Sequence, residues 1–486
     1  MNAHKTPNVS AKDRKILLHD PVTKYQQLNP QASDKSLAAL TDLCQQYAET
    51  SQQLKEHQNK SKKISREIGE AKRASQPCEK LLQLMQLQSA ESKNIKNQLT
   101  TITRHISRYF ESDSITEESP STENPSAKNH LPPTRIHTKQ SSVDNSTSIA
   151  LLNNEFTAWN KYVESNPAAS LYHRAEWKNL ILKVFNHESY YFYAICNKKI
   201  VGVLPLVRLN SRLFGDFMVS MPYFNSGGAI ANNLAVEQKL MQTASNHAKK
   251  IGVSHIEYRD DIRRNELPVR DEKVNMILSL PNTPDILWNS FSSKLRSQVR
   301  RAQRENITID IGSPDNFNSF YIVFAKNMRD LGTPVYSKLF FKHILKTFPR
   351  HSKIIVIHLN NKPVATAFLL GHKTTLEIPW ASTIKEVNHL SINMLLYWEV
   401  LKFAIENNYH YFDFGRSSKN SGTFQFKQQW GAKPKQCYWH YWLKDGEELP
   451  SLNPNNPKYK LLISLWKKIP VSITKYIGPN IVKNLP

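Results

Sequence analysis

The sequence is poor in cysteine and has no long apolar segment. Its 486 residues include four cysteines, Cys44, Cys78, Cys196 and Cys437, and no two of them stand in C-x-x-C spacing. Scattered cysteines argue against a zinc site and a disulfide framework, and they fit a reducing cytoplasm. No apolar run approaches the roughly 20 residues that a membrane span requires, and the N-terminus lacks a signal-peptide core. We therefore expect a soluble cytoplasmic protein that holds no metal.

Motifs of several enzyme classes are also missing. The chain contains no H-E-x-x-H zinc motif, no G-x-x-x-x-G-K-[ST] phosphate loop and no Ser/His/Asp arrangement that reads as a nucleophilic triad. These absences argue against a zinc protease, a P-loop NTPase and a serine hydrolase.

Positive charge is what the sequence has in excess. Lys and Arg outnumber Asp and Glu by 65 to 41, which gives a net charge of +24. Such a surface attracts nucleic acid, anionic lipid headgroups or phosphorylated substrates. The length predicts two or three domains.

The segment 34–110 has helical composition, with Gly69 as its one glycine and Pro77 as its one proline. Apolar residues recur there at the spacing of a coiled-coil seam. They are Leu40, Tyr47, Leu54 and Ile68, with Ser61 as a polar step, and then Ile95, Leu99, Ile102, Ile106 and Tyr109. The break near Pro77 predicts a long antiparallel helical hairpin over 34–110, after a disordered or irregular N-terminus over 1–33.

This hairpin has two interpretations. One is a coiled coil that forms a homodimer, which composition alone favours. The other is an arm that contacts a phosphate backbone, because basic residues crowd the distal part of its first helix. These are Lys60, Lys62, Lys63, Arg66, Lys72 and Arg73, opposed by Glu67 and Glu70.

The run from Ser65 to Lys72, SREIGEAK, is similar to the S-K-x-I-G-x-x-K run near the tip of the tRNA-binding arm of seryl-tRNA synthetases. A return helix rich in Leu, Gln and Ile follows, as in that family, while Lys62 stands where an Asn is common. No synthetase catalytic domain follows. The resemblance therefore implies contact with tRNA and not amino-acid activation.

Beyond the hairpin, the composition changes twice. Residues 111–148 are mainly Ser, Thr, Pro, Asn and Glu, which predicts a disordered linker. Stretches typical of strands and helices then alternate as far as Trp442. This order predicts an α/β (α+β) body of two similar halves, 149–275 and 276–445, each a sheet with helices packed on it. In the second half we expect one helix from Pro284 to Asn306 and a strand from Tyr409 to Phe414.

Several runs in this body resemble the FemAB family of the GNAT (N-acetyltransferase) fold, in the bacterial branch found with exopolysaccharide and exosortase systems. They are GVLPL at 202–206, SMPYFNSGG at 220–228, LRSQVRRA at 295–302, MRDLGTP at 328–334, EIPWAS at 377–382, NMLLYW at 393–398 and the stretch 411–434. The resemblance implies two tandem GNAT-like acyltransferase halves. It also implies an enzyme that moves an aminoacyl group from a charged tRNA to an amine.

We expect the chemistry in the stretch from Tyr411 to Pro434. There the predicted strand is followed by a loop rich in hydroxyls and N–H groups, and then by a helix. Arg416 in the loop is expected to bind a phosphate or the carboxylate of an acceptor. The pair Phe426-Lys427 matches the functional Phe-Lys motif of the FemAB family. The resemblance implies that Phe426 belongs to the substrate site and that Lys427 stabilises the tetrahedral oxyanion, with a plain surface lysine as the alternative.

Two further groups are candidates for the site. Arg296, Arg300 and Arg301 carry forked guanidiniums that suit phosphates, so we expect them to meet a phosphorylated substrate unless they form a solvated basic face. Asp413 and Glu377 lie in predicted strands. They are either buried carboxylates that support the site or structural hydrogen-bond acceptors.

The expected function is aminoacyl transfer from aminoacyl-tRNA to an amine on a phosphorylated or polysaccharide-precursor acceptor, without a bound cofactor, in cell-envelope or exopolysaccharide synthesis. One alternative is an acyl-CoA-dependent N-acyltransferase on an amino sugar or polysaccharide, although the body lacks the usual [QR]-x-x-G-x-[GA] pyrophosphate loop. Another is a noncatalytic coiled-coil scaffold. The basic amphipathic segment 446–486 either lies on the inner face of the membrane or packs on its own domain.

Overall fold

The computed structural model describes residues 21–28, 33–74, 77–108, 146–450 apart from 213, 265 and 313, and 457–485. The chain divides into two compact units, residues 1–126 and 127–486. Except for residues 146–148, the predicted linker 111–148 lies outside the described residues.

The first unit consists of helices α1 (Pro21–Leu28), α2 (Asp34–Arg73) and α3 (Glu79–Arg108). Helices α2 and α3 pack as an antiparallel pair, since Leu40 contacts Ile106 at one end and Leu54 clusters with residues of α3 further along. Their apolar seam follows the predicted spacing, while Tyr109 lies outside the described residues. Helix α1 was not predicted. It forms within the segment expected to be irregular because Val22 and Tyr25 pack against the Leu40 cluster.

The second unit is built from strands and helices in alternation. Its strands are β1 (Ser148–Leu151), β2 (Ser189–Cys196), β3 (Lys199–Ser211), β4 (Gly215–Val219), β5 (Ile230–Ala231), β6 (His255–Asp260), β7 (Val269–Arg270), β8 (Lys273–Ser279), β9 (Ile307–Gly312), β10 (Ser352–Leu359), β11 (Lys362–His372), β12 (Thr375–Thr383), β13 (Tyr411–Ser418), β14 (Lys433–Gln436) and β15 (Tyr438–Leu443). Its helices are α4 (Phe156–Ser165), α5 (Glu176–Phe185), α6 (Leu234–Ile251), α7 (Pro284–Ser290), α8 (Ser293–Gln303), α9 (Phe317–Leu331), α10 (Lys338–Thr347), α11 (Ile392–Glu406), α12 (Gly422–Gln428), α13 (Pro457–Trp466) and α14 (Val471–Val482), with 3-10 turns at Leu171–His173 and Lys385–Leu390.

The strands form two sheets. The first has the order β1-β2-β3-β4-β6-β15-β7, with β5 beside β3, and the second has the order β14-β8-β13-β12-β11-β10-β9. Each sheet contains one parallel pair, β4 with β6 and β12 with β13. The predicted α/β class with two sheets is confirmed. The halves are nevertheless not separate in space, because β15 comes from the predicted second half and pairs with β6 in the first sheet.

One apolar core joins the two halves. The indole of Trp177 lies 4.8 Å from the ring of Phe348, and the ring of Phe224 lies 6.0 Å from that of Trp380. These side chains come from opposite halves and belong to the same buried cluster. Burial of such large aromatic surfaces is strongly favourable, so the halves are held together by the same force that folds each of them.

Two elements differ from their predicted form. The expected single helix over Pro284–Asn306 is two helices, α7 and α8, because the backbone is extended at Phe291 and Ser292 caps α8 by accepting from the Leu295 N–H. Strand β13 continues through Arg416 to Ser418, where we expected a loop. The polar residues there stay in the sheet because they pair with β8.

The C-terminal helices behave differently from each other. Helix α14 packs on the body, since the Lys483 carbonyl accepts from Tyr223 Oη at 2.7 Å and Gly478 is buried against Val335. Helix α13 leaves Leu462 and Leu465 more than half exposed. Among the described residues, none of the helices is both long and apolar enough to cross a bilayer. Contact of this segment with a membrane surface stays a prediction.

Gly478 provides a test of how α14 docks. A Cβ at this position would lie 2.9 Å from the Val335 backbone nitrogen, which cannot rotate away. We expect Gly478→Ala to cost about 1 to 3 kcal/mol of stability and to lower Tm by several degrees in thermal unfolding. Gly422→Ala adds the same methyl group where no atom lies within 4 Å, and it serves as the control. Equal melting temperatures for the two variants would contradict tight docking of α14.

Candidate active site

A cavity of about 390 Å³ lies between the two sheets. The first half contributes the loop 167–173, the loop 225–228 and the end of β6, and the second half contributes residues of β8, β11, β12, β13 and β14. Glu377 and Asp413 both line it. A cleft that combines apolar walls with a few titratable groups from two halves is a typical substrate site.

The two carboxylates stand where a parallel strand pair separates. Strands β12 and β13 pair only from Thr375 opposite Tyr411 to Glu377 opposite Asp413, and beyond that point they diverge. Gly415 has a φ of +76°, which favours glycine, and the register of β13 on β8 shifts between Asp413 and Arg416. This irregularity of β13 directly follows Asp413, which lines the cavity together with Glu377.

Glu377 is held by groups from the first half of the body. Tyr172 Oη donates to Glu377 Oε2 at 2.5 Å, and the Asn225 side chain also hydrogen bonds to this carboxylate. Tyr172 is fixed in turn by its stacking on Phe224, with ring centroids 4.1 Å apart. Burial, followed by the negative charge of Asp413, raises the pKa of Glu377 to about 8. The carboxyl group is therefore mostly protonated at neutral pH.

Asp413 is the more acidic of the two carboxylates. Burial raises its pKa to about 6, while the Gly415 N–H, which donates to Oδ1 at 2.7 Å, and the charge of Lys427 act in the opposite direction. Two carboxyl groups in one desolvated site cannot both ionise easily, so a single proton is retained by the pair near neutral pH.

Lys427 is a buried lysine, with 9% of its surface exposed. Its Nζ donates to the backbone carbonyls of Gly415 and Arg416, each at 3.0 Å. Burial lowers the pKa of Lys427 to about 8, and the charges of Asp413 and Glu377 oppose that shift. The predicted alternative of a plain surface lysine does not describe this side chain. It is a desolvated cation beside the two carboxylates, and it sits on α12, which Ser421 caps by accepting from the Phe424 N–H.

Arg416 lies in the same region. The central carbon of its guanidinium lies 4.1 Å from the centroid of the Trp439 ring. Burial, and then the nearby charge of Arg259, lowers the pKa of Arg416 to about 10, which leaves it a cation at neutral pH. The sequence predicted Lys427, Arg416, Asp413 and Glu377 as site residues, and the structure brings all of them together.

The remaining predicted site residues make other contacts. Phe426 packs in the second apolar core, with its ring 5.0 Å from that of Tyr397. Arg296, Arg300 and Arg301 lie on α8, where Arg300 is exposed and stacks over Trp288. Of the predicted site residues, Glu377 and Asp413 line the cavity, whereas these four residues, Lys427 and Arg416 do not. Their roles in substrate binding stay predictions.

Several residues of the site were not predicted. Tyr172 and Arg259 carry no local motif, whereas Asn225 stands in the run 220–228 that resembles the FemAB family. His372 also lines the cavity, and burial, followed by the charge of Lys373, lowers its pKa to about 3, so its imidazole is neutral. Within the described residues, no group of three or more His, Cys, Asp and Glu side chains is arranged to hold a metal ion.

The raised pKa of Glu377 makes a prediction for stability. Between pH 4.5 and about 8 the folded protein keeps a proton on Glu377 that the unfolded chain has lost. The contribution of Glu377 to the free energy of unfolding is therefore full below pH 4.5 and is lost as the pH rises towards 8. The variant Glu377→Gln has no carboxyl group at this position, so it does not lose this stability as the pH rises. Its Tm relative to the wild type should rise by about 3 °C or more between about pH 5 and about pH 8 in thermal unfolding. Glu406→Gln, at the exposed C-terminal end of α11, is the control, and a pH-independent offset for Glu377→Gln would show that Glu377 ionises normally.

Part of this site lies in a segment that matches a known family model. Residues 289–428 match the family of the acetyltransferase (GNAT) domain, and this range contains Glu377, Asp413, Arg416 and Lys427. No curated protein sequence matches the chain.

Solved structures with a similar arrangement include FemX, at 14% identity over 65% of this chain and 100% of that one, with a TM-score of 0.48. L-PGS from Bacillus licheniformis is 13% identical over 61% of this chain and 98% of that one, with a TM-score of 0.40. A tandem GNAT protein from the clavulanic acid biosynthesis pathway is 8% identical over 63% of this chain and 100% of that one, with a TM-score of 0.37.

The family match confirms the predicted GNAT fold for residues 289–428, while a GNAT fold of the first half and the likeness of the N-terminal hairpin to a tRNA-binding arm stay predictions. Glu377, Asp413 and Lys427 lie within the residues that match the GNAT domain, and the protein is an acyltransferase.

Proposed function

We propose that the protein transfers an aminoacyl group from aminoacyl-tRNA to an amine acceptor, in cell-envelope or exopolysaccharide synthesis. The observation that carries this proposal is the position of Lys427. It is a buried cation on the Phe-Lys pair that resembles the FemAB motif, next to two carboxylates that line the cavity between the halves.

Lys427 supplies what ester aminolysis needs most. When the amine attacks the ester carbonyl, the carbonyl oxygen becomes an oxyanion, and a fixed cation in a desolvated site stabilises it strongly. Two N–H groups of the Lys427 ammonium donate hydrogen bonds to the carbonyls of Gly415 and Arg416. In the described part of the chain, the third N–H has no hydrogen-bond acceptor, so it is the group proposed to meet the oxyanion.

The paired carboxylates handle the proton. As the C–N bond forms, the attacking nitrogen must lose a proton, and as the ester C–O bond breaks, the ribose oxygen of the donor must gain one. Asp413, with a pKa of about 6, is ionised at neutral pH and can accept the first proton. Glu377, with a pKa of about 8, is protonated and can supply the second. The pair thereby begins and ends with one proton.

The helical hairpin is proposed to bind the donor tRNA. Lys60, Lys63 and Arg66 are exposed on α2, as phosphate contacts must be. The hairpin and the body belong to different compact units, so the proposal concerns only the chemistry of the α2 surface.

A second candidate donor is acyl-coenzyme A. It is favoured by the description of the matched family as an acetyltransferase domain and by the diverging parallel strands β12 and β13. The same lysine and carboxylates would serve an amine that attacks a thioester. The two donors are therefore best separated by a direct assay.

The central prediction concerns Lys427. With radiolabelled aminoacyl-tRNA as donor and a cell-envelope precursor fraction as acceptor source, we expect Lys427→Met to lower kcat by about 10² to 10³, because the oxyanion loses its cation. Lys419→Met makes the same substitution at an exposed lysine in the loop before α12 and should retain full activity. Transfer from acetyl-CoA with none from aminoacyl-tRNA would show that acyl-coenzyme A is the donor. Full activity of Lys427→Met with either donor would refute the proposed role of this lysine.

The hairpin makes a separate prediction. Changing Lys60, Lys63 and Arg66 together to Gln in the full chain should weaken tRNA binding and reduce the slope of log affinity against log salt by about 2 to 3, because three phosphate contacts are lost. A control triple variant changes Lys161, Lys183 and Lys199, which are exposed lysines of the body, to Gln. Filter binding over a salt series measures both. An unchanged slope, or an equal change in the control, would leave dimerisation as the better interpretation of the hairpin.

A further inference from the structure

Two arginines, one from each half of the body, stack on a single tryptophan. The central guanidinium carbons of Arg259 on β6 and Arg416 on β13 lie 4.3 Å and 4.1 Å from the centroid of Trp439 on β15. Trp439 and Arg259 are direct cross-strand partners in the first sheet, while Arg416 belongs to the second. Guanidiniums stack well on indole rings, so this contact fixes the positions of both cations.

Too few carboxylates surround these arginines to balance their two positive charges. Glu257 accepts from Arg259 Nε at 2.8 Å, and its other oxygen accepts from Tyr441 Oη at 2.7 Å. Arg416 makes no ion pair with a carboxylate anywhere in the part of the chain that the structure describes. Burial keeps the pKa of Cys437 near 12, so its thiol is neutral and supplies no charge.

Neighbouring carboxylates are already engaged elsewhere. Asp261 pairs with Lys435 at 2.9 Å, and Asp260 pairs with Arg264 at 3.0 Å. One carboxylate, Glu257, therefore faces two guanidiniums, and a buried cation without a counter-charge is costly. An anion bound between the halves would remove this cost.

Hydrogen-bond donors without partners point to the same place. Arg259 is 3% exposed and lines the cavity, and its Nη2 is buried without a hydrogen-bond partner among the described residues. Trp439 Nε1 is buried and has no partner there either. Buried donors are nearly always satisfied in folded proteins, so two of them beside an unbalanced cation indicate a missing acceptor.

We propose that Arg259, Arg416 and Trp439 form an oxyanion-binding subsite that takes a carboxylate or phosphate group of the acceptor. The carbonyl of Arg416 accepts from Lys427 Nζ, so the subsite adjoins the lysine assigned to the reacting ester. Binding of an anionic group there places the amine of the same molecule beside Lys427. That part of the inference rests on the proposed aminoacyl transfer, whereas the subsite itself does not.

The test uses small anions and needs no tRNA. Wild-type protein is titrated with inorganic phosphate, diphosphate and acetate at constant ionic strength, with Tm as the readout. We expect saturable stabilisation, roughly tenfold weaker binding for Arg416→Gln and a smaller, several-fold loss for Trp439→Phe, which keeps a ring but lacks the N–H. Arg350→Gln, the same change at an exposed arginine, should bind as the wild type does. The preferred anion distinguishes a phosphate from a carboxylate group.

Thermal unfolding also separates a binding role of Arg416 from a purely structural one. Without added anion, Arg416→Gln should melt at or above the wild-type temperature, because it removes a cation that lacks a counter-charge. A lower Tm together with unchanged anion affinity, or no specific stabilisation of the wild type by any of the three anions, would overturn the subsite. If the anions bind as expected but aminoacyl-tRNA is never a donor, the subsite stands and only the proposed reaction fails.

Discussion

The burial of Lys427 beside Asp413 and Glu377 is the constraint on which the rest of the site depends. A lysine removed from water is costly unless carboxylates and hydrogen-bond acceptors compensate for the lost hydration. Here two backbone carbonyls and the carboxylate of Asp413 do so. The carbonyls are available because β13 bends at Gly415, and the carboxylates adjoin each other because β12 and β13 pair only as far as those residues. The bend, the strand separation and the cap of α12 therefore form one unit.

Loops of the first half and strand β15 of the first sheet complete this unit. Tyr172 and Asn225 hydrogen bond to Glu377, and Trp439 on the returning strand β15 stacks on Arg416. The matched GNAT domain, residues 289–428, contains none of these three residues. A GNAT domain of the second half alone would leave Glu377 without its hydrogen bonds and would leave the cavity open on one side. The shared aromatic core explains how the two halves keep the accuracy that such contacts require.

Sequence patterns predicted what depends on local spacing and missed what depends on distant contacts. The antiparallel helical hairpin followed from its apolar spacing, and Lys427 stood out through the Phe-Lys pair. Strand β13 was predicted too short, because a Gly followed by Arg and Ser has the composition of a loop, and only pairing with β8 holds it extended. The break at Phe291 was missed for a similar reason, since Phe291 turns into the core beside Trp398. Tyr172 contacts Glu377 across 205 residues, a relation that no local pattern contains.

The titration order of the three central groups suits the proposed chemistry. If Glu377 had an ordinary pKa, two negative charges would surround Lys427 at neutral pH, and their field would oppose the formation of an oxyanion next to it. Because burial keeps Glu377 protonated, Lys427 faces a single carboxylate, Asp413. Lys427 and Asp413 then carry no net charge before the reaction, whereas an ionised Glu377 would make the site negative and oppose the oxyanion. The hydrophobic surroundings that raise the pKa of Glu377 thus also preserve the positive potential that Lys427 offers to the substrate.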